Sequence, residues 1–223
     1  MNKVLIIGGH GKIALLLAPL LTAAGTQVTS VIRNAAHIDE VAATGATPVV
    51  HDVVSSSVAE LADLFAGQDA IVWSAGAGGG SPERTYAVDR DGAIASMDAA
   101  VVAGVERYIM VSYLGASTDH GVPPEDSFFA YAEAKAAADA HLRQTGALAW
   151  TILAPGALTL DPATALIDPT PAAERDAAAP TKTSRANVAL VAAAALAHPE
   201  TIMHTIEFSD GSMSIEDALT RVK

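Results

Sequence analysis

At 223 residues, with 51% hydrophobic side chains and a formal charge of −12, the chain is long enough to bury the core of one domain without a covalent staple. The acidity argues against an electrostatic grip on nucleic acid or anionic lipid, and the absence of cysteine removes disulfides, thiolate nucleophiles and cysteine-held metal. The longest apolar run, "IALLLAPLLTAAG" from Ile13, is too short to span a bilayer, and Met1, Asn2 and Lys3 lead directly into "VLIIGG" with no cleavable leader pattern, so a cytoplasmic protein is expected.

The first element, "KVLIIG" (3–8), reads as a buried strand, and a helix follows from Lys12 to about Ala24. Between them Gly8, Gly11 and Ala14 form a G-x-x-G-x-x-A arrangement. Glycine permits a tight turn and a close approach of backbone to an anion, and the helix N-terminus adds free N–H donors. An ordinary strand-to-helix turn can carry the same glycines, but the first strand–helix junction is where a dinucleotide phosphate is held. Gly8, Gly9, His10, Gly11, Lys12 and Ile13 are therefore the expected phosphate loop, His10 acting through its backbone.

"QVTSVIR" (27–33) is a second strand, closed by Arg33 and Asn34, with no carboxylate before Asp39. NAD-preferring sites place an acid here for the ribose 2′-hydroxyl, whereas an arginine would pair with a 2′-phosphate. The expected cofactor is NADP (as NADPH), with NAD the alternative and a solvated surface arginine the bland reading. After a helix (36–44), the strand "TPVVHDV" (47–53) ends on Asp52 and Val53. Asp52 either accepts from the adenine amine or is a plain strand-end carboxylate. A short helix (58–66) leads to the strand "DAIVWSAG" (69–76), whose Ala75 and Gly76 would let the cofactor ribose lie close; Gly78 to Gly80 read as a mobile loop.

A long helix (83–104) precedes the strand "RYIMVSY" (107–113). There Ser112 would bind a substrate carbonyl oxygen or satisfy local backbone, and Tyr113 reads as packing. A helix from about 128 to 145, stopped by Gly146, carries "YAEAKAAAD" and precedes the strand "AWTILAP" (149–155). From 157 to 184 the pattern weakens around Pro162, Pro169, Pro171 and Pro180, an irregular segment expected to form a lid over substrate. A helix (185–198), a strand (204–208) and a helix from Ser214 close the chain. Alternation of apolar strands with helices predicts an α/β fold: one domain with a doubly wound parallel sheet (a Rossmann fold) and a small C-terminal substrate-facing portion.

In "YAEAKAAAD", Tyr131 and Lys135 are helix neighbours four residues apart. An ammonium beside a phenol would lower its pKa and suit it to proton transfer, and could also hydrogen-bond the nicotinamide ribose. The seven histidines show no ligand-like spacing, so no metal is expected, and there is no G-x-S-x-G nucleophile elbow.

Taken together, "GGHGKIA", "VIRN", "HDV", "WSAG", "VSYLGA", "YAEAK" and "TILAPGALT" resemble the short-chain dehydrogenase/reductase superfamily, in its atypical single-domain branch of small NAD(P)H-binding reductases. The resemblance covers most of the chain and is more specific for fold and cofactor than for reaction. It implies that Ser112 stabilises substrate, Tyr131 transfers the proton and Lys135 binds ribose. Two departures stand out: Ala154-Pro155-Gly156 where relatives commonly read Arg-Pro-Gly, leaving Pro155 at the cofactor end, and Asp89 where many enzymes of the superfamily use a relay asparagine. The expected function is NADP-dependent reduction of a small carbonyl, quinone or flavin-like substrate. A non-catalytic NADP-binding redox sensor is the alternative, and sugar-nucleotide epimerisation is disfavoured by the short C-terminal portion. The expected partner is a small-molecule substrate, and the chain a monomer or homodimer.

Overall fold

The computed structural model describes residues 1–176 and 181–222. Strands β1 (Lys3–Ile7), β2 (Gln27–Ile32), β3 (Thr47–Val50), β4 (Ala70–Trp73), β5 (Arg107–Val111) and β6 (Ala149–Pro155) alternate with helices, as the apolar runs predict. The helices are α1 (Lys12–Ala23), α2 (Ile38–Ala42), α3 (Val58–Phe65), α4 (Pro82–Thr85), α5 (Ala93–Val102) and α6 (Phe129–Gln144). Beyond them lie β7 (Ala157–Thr159), β8 (Leu166–Asp168), β9 (Lys182–Ser184), α7 (Arg185–Ala197), β10 (His204–Asp210), β11 (Met213–Ser214) and α8 (Ile215–Leu219).

The main sheet runs β11-β8-β10-β6-β5-β4-β1-β2-β3. From β3 to β10 all pairings are parallel, while β8 is antiparallel to both β10 and β11. Alternate strand residues feed opposite faces. Val4, Ile6, Val72 and Ile109 pack with Leu17 and Leu21 of α1 and with Val188 and Ala192 of α7. Leu5, Ile7, Ile71 and Trp73 pack on the other side with Phe65 of α3, Met97 of α5 and Leu142 of α6. Both faces are buried, which is why these strands read as continuous apolar runs.

Two local expectations need correction. The helix expected over 83–104 is α4, a π-helical stretch Tyr86–Gly92 and α5 in continuation. The wider turn is a backbone choice that the side-chain pattern does not disclose. The segment 157–184 is not uniformly irregular: it contributes β8 to the main sheet, and β7 and β9 pair as a separate two-stranded sheet. Strands of three residues are too short for a period-2 signal. Pro180, within the same expected segment, lies outside the described residues. His120 takes a local capping role: its Nδ1 accepts from the Val122 N–H at 3.0 Å, and its ring packs edge-on against Phe129 and bonds the Glu133 carboxylate at 3.1 Å.

Candidate cofactor and active site

Strand order reverses between β1 and β4, and two cavities open along the carboxyl edge of the sheet, where ligands of such folds bind. The glycine loop is built by close approach. Gly8 has φ of +81°, and a Cβ there would lie 2.7 Å from the Ala75 backbone. A Cβ on Gly9 would come within 2.6 Å of the Ser30 Cβ. The Gly11 N–H donates back to the Gly8 carbonyl at 2.7 Å, folding the loop into a turn that delivers the chain into α1. No side chain caps α1 and its first turn holds no acid, so the amides of Lys12, Ile13 and Ala14 have neither an intrahelical acceptor nor a side-chain one.

The first cavity, about 330 Å³, takes Gly8, His10 and Gly11 from this loop, Arg33 and Asn34 beyond β2, Asp52 and Val53 beyond β3, and Ala75 and Gly76 beyond β4. His10 presents its side chain, not only its backbone: the ring stacks on His37 at 3.5 Å and bonds Glu40 at 2.7 Å. Arg33 is exposed and makes no ion pair among the described residues. The Asn34 side chain accepts from the Ala36 N–H, and one Asp52 oxygen accepts from the Val54 N–H. Gly9, Lys12 and Ile13 do not line this cavity: Gly9 donates to the Val31 carbonyl, Lys12 points to solvent and Ile13 enters the core. Sequence reasoning missed His37, His51, Ser74 and Arg84, which also line it.

These residues fit a dinucleotide. The loop has no room for a Cβ, the start of α1 is bare, and the Ser74 hydroxyl is buried in the cavity wall without a partner among the described residues. Gly8, Gly11 and the α1 amides would hold the diphosphate.

The second cavity, about 570 Å³, is lined by Ser112 and Tyr131, by Pro155, expected at the cofactor and not here, and by Tyr113, Phe128 and Leu158. Tyr113 packs and also lines this cavity: with Phe128 and Tyr131 it forms a trio whose ring centroids lie 5.3–5.5 Å apart.

Behind that wall lies a buried charge cluster. Lys135 lines neither cavity; its ammonium donates to the Val111 carbonyl at 2.6 Å. Asp89, in the π-helical stretch, accepts from the Ala77 N–H at 2.9 Å and so anchors the loop after β4. Asp139, the last residue of "YAEAKAAAD", meets the Ser112 hydroxyl at 2.5 Å. Lys135, Asp89 and Asp139 are each at most 1% exposed. Burial pushes both carboxyl pKa values up against the pull of Lys135, and pushes the Lys135 pKa down against the pull of the acids.

The expectation that Lys135 acidifies Tyr131 is reversed. The phenol is held above its ordinary range, first by burial, then by the Asp89 and Asp139 carboxyls, which oppose a phenolate beside them. Sequence reasoning also missed Asp139, although a signal was present: 131, 135 and 139 continue the same four-residue step along one helix face.

Residues 8–199 match a family described as NAD(P)H-binding. The UPF0659 protein YMR090W of Saccharomyces cerevisiae is 33% identical over 221 residues, covering 96% of each chain. A Bacillus halodurans structure described as an NAD-dependent epimerase/dehydratase superposes with a TM-score of 0.87 at 28% identity, covering 99% of this chain and 100% of that one. The oxidoreductase ylbE of Lactococcus lactis gives 0.83 at 28% identity, covering 98% and 95%.

Proposed function

The chain belongs to the NAD(P)H-binding family, with the fold of the atypical short-chain dehydrogenase/reductase group, and on that premise we propose that it is an NADP-dependent oxidoreductase reducing a small carbonyl, quinone or flavin-like acceptor. The observation that carries this reading is the adjacency of two cavities on one sheet edge, one glycine-lined beneath Arg33 and one walled by Ser112 and Tyr131. When bound, NADPH supplies the hydride.

The chain's own groups do the rest. Arg33, having no carboxylate partner among the described residues, takes the 2′-phosphate through its planar fork. The Asp52 oxygen not bonded to Val54 accepts from the adenine amine. Tyr113, Phe128 and Tyr131 present aromatic surface to a planar conjugated acceptor. The Ser112 and Tyr131 hydroxyls donate to its oxygen, Tyr131 as neutral phenol. Lys135 orients the end of β5 through Val111 and so positions Ser112 one residue on. Leu158 and Thr181 cover the acceptor.

Calorimetric titration of NADPH against NADH, on wild type and Arg33→Ala, is the test. Preference for NADPH that is lost in the variant supports the assignment, and absence of binding to either nucleotide overturns it. A second reading, a redox sensor that binds NADP without turnover, is favoured by the raised Tyr131 pKa and by the commitment of the Lys135 ammonium to a carbonyl. On that reading Tyr131→Phe leaves function intact while a bulky residue at Gly11 abolishes it.

A further inference from the structure

Asp139 sits where no cavity reaches it, yet one of its oxygens touches a residue that a cavity does reach. Its Oδ2 lies 2.5 Å from the Ser112 Oγ, and Ser112 lines the 570 Å³ cavity. Its Oδ1 is buried with no hydrogen-bond partner among the described residues. An ionised carboxylate leaving one oxygen buried and unbonded would carry a large desolvation cost, whereas the neutral acid leaves only a carbonyl-type oxygen unpaired. The groups facing it are Tyr131, Lys135 and Arg143 from α6 and Ser112 and Tyr113 from the end of β5, while Asp89 from the π-helical stretch faces the same Lys135 and Tyr131. In the inner cluster two carboxyls face one ammonium, and that ammonium is bonded to Val111. Asp89 accepts a backbone N–H, which suits the ionised form, so the proton belongs on Asp139.

We propose that Asp139 is held as a neutral carboxylic acid and is the positioning residue that turns the Ser112 hydroxyl into the cavity and resupplies its proton. The proposal rests on the oxidoreductase reading above. With the acid neutral, its O–H donates to Ser112 Oγ, and the serine proton is released to point at the acceptor oxygen. As the acceptor gains hydride at carbon from the reduced nicotinamide, its C=O π pair moves to oxygen. That oxygen takes the Ser112 proton, Ser112 takes the Asp139 proton, and the carboxylate left behind is reprotonated through Ser112 by water entering the cavity as the alcohol leaves.

The test has two readouts. Carbon-13 NMR of aspartate carboxyl groups, followed from acid to neutral pH, is expected to show a carboxyl still protonated at neutral pH that vanishes in Asp139→Asn and persists in Asp89→Asn. Disappearance in Asp89→Asn instead, or no protonated carboxyl in wild type, overturns the proposal. In turnover with NADPH and an acceptor carbonyl, Asp139→Asn is expected to lower kcat about 10- to 100-fold, to remove the high-pH fall of the kcat profile and to leave NADPH affinity unchanged. An unaltered kcat profile overturns the relay while leaving the oxidoreductase reading standing. A wild type that reduces no acceptor overturns that reading, and the relay with it, whatever the NMR shows.

Discussion

Single residues carry the sharpest constraints. Gly9 shows how small the tolerance is, since its N–H is spent on the Val31 carbonyl and a Cβ would lie 2.6 Å from the Ser30 side chain. Gly9→Ala is expected to cost about 1–3 kcal/mol, read as a lower Tm, because strand β2 or the loop must give way. Tyr131→Phe tests a different property. It removes one donor to the acceptor oxygen and leaves the ring trio packed, so kcat/KM should fall about tenfold or more with NADPH affinity unchanged, measured by steady-state kinetics and calorimetry. The glycines and the tyrosine are readable as letters in the sequence. The direction of the Tyr131 pKa shift is not, because it depends on how deeply the ring is buried and on two acids, Asp89 and Asp139, brought beside it by separate elements.

Elements act through their ends. Helix α1 begins without a cap or an acid, a disadvantage for the isolated helix and an advantage for an anion site. Lys12→Glu places a charge on that exposed first turn. It should raise stability by about 0.5 kcal/mol while weakening NADPH binding, two opposite movements seen by thermal melting and calorimetry. Later in the chain, Asn187 of α7 ties the segment after β7 to the sheet. Its oxygen accepts from the Thr164 and Ala165 amides at 3.1 and 2.9 Å, and its amide donates to Asp210 at 2.7 Å. Asn187→Ala removes the partner of those part-buried groups, so a loss of about 1–2 kcal/mol is expected in denaturant unfolding. The acceptor KM should rise more than the NADPH Kd, because Ala157, Leu158 and Arg185 line the second cavity and not the first. The helices and long strands were legible from apolar periodicity. The pairings of β7 with β9 and of β8 with β10 were not, since backbone pairing leaves no side-chain pattern in three residues.

At the scale of the whole molecule, burial decides how charge is used. Ionised acids crowd the exposed surface, whereas Asp89 and Asp139 are enclosed and have raised pKa values. For a carboxyl whose folded pKa lies above its unfolded value, the folded state keeps a proton that the unfolded state has released. Stability from that group is complete below the ordinary aspartate value of 3.8 and declines as pH climbs toward the folded pKa. The stability of Asp139→Asn relative to wild type should therefore rise with pH across that window, measured by urea unfolding at a series of pH values.

The sequence by itself determined the alternation of strands and helices, the doubly wound parallel sheet, the place of the glycine loop and the neighbouring positions of Tyr131 and Lys135. These follow from local steric preference and from the period of apolar residues, both written in adjacent letters. Only the tertiary structure decided that Lys135 gives its ammonium to the Val111 carbonyl, that His10 pairs with Glu40, and that Asp139 meets Ser112 across 27 residues of chain. Hydrogen bonds and pKa values depend on distance and burial, and the packing of α6 and the π-helical stretch at the end of β5 fixes both.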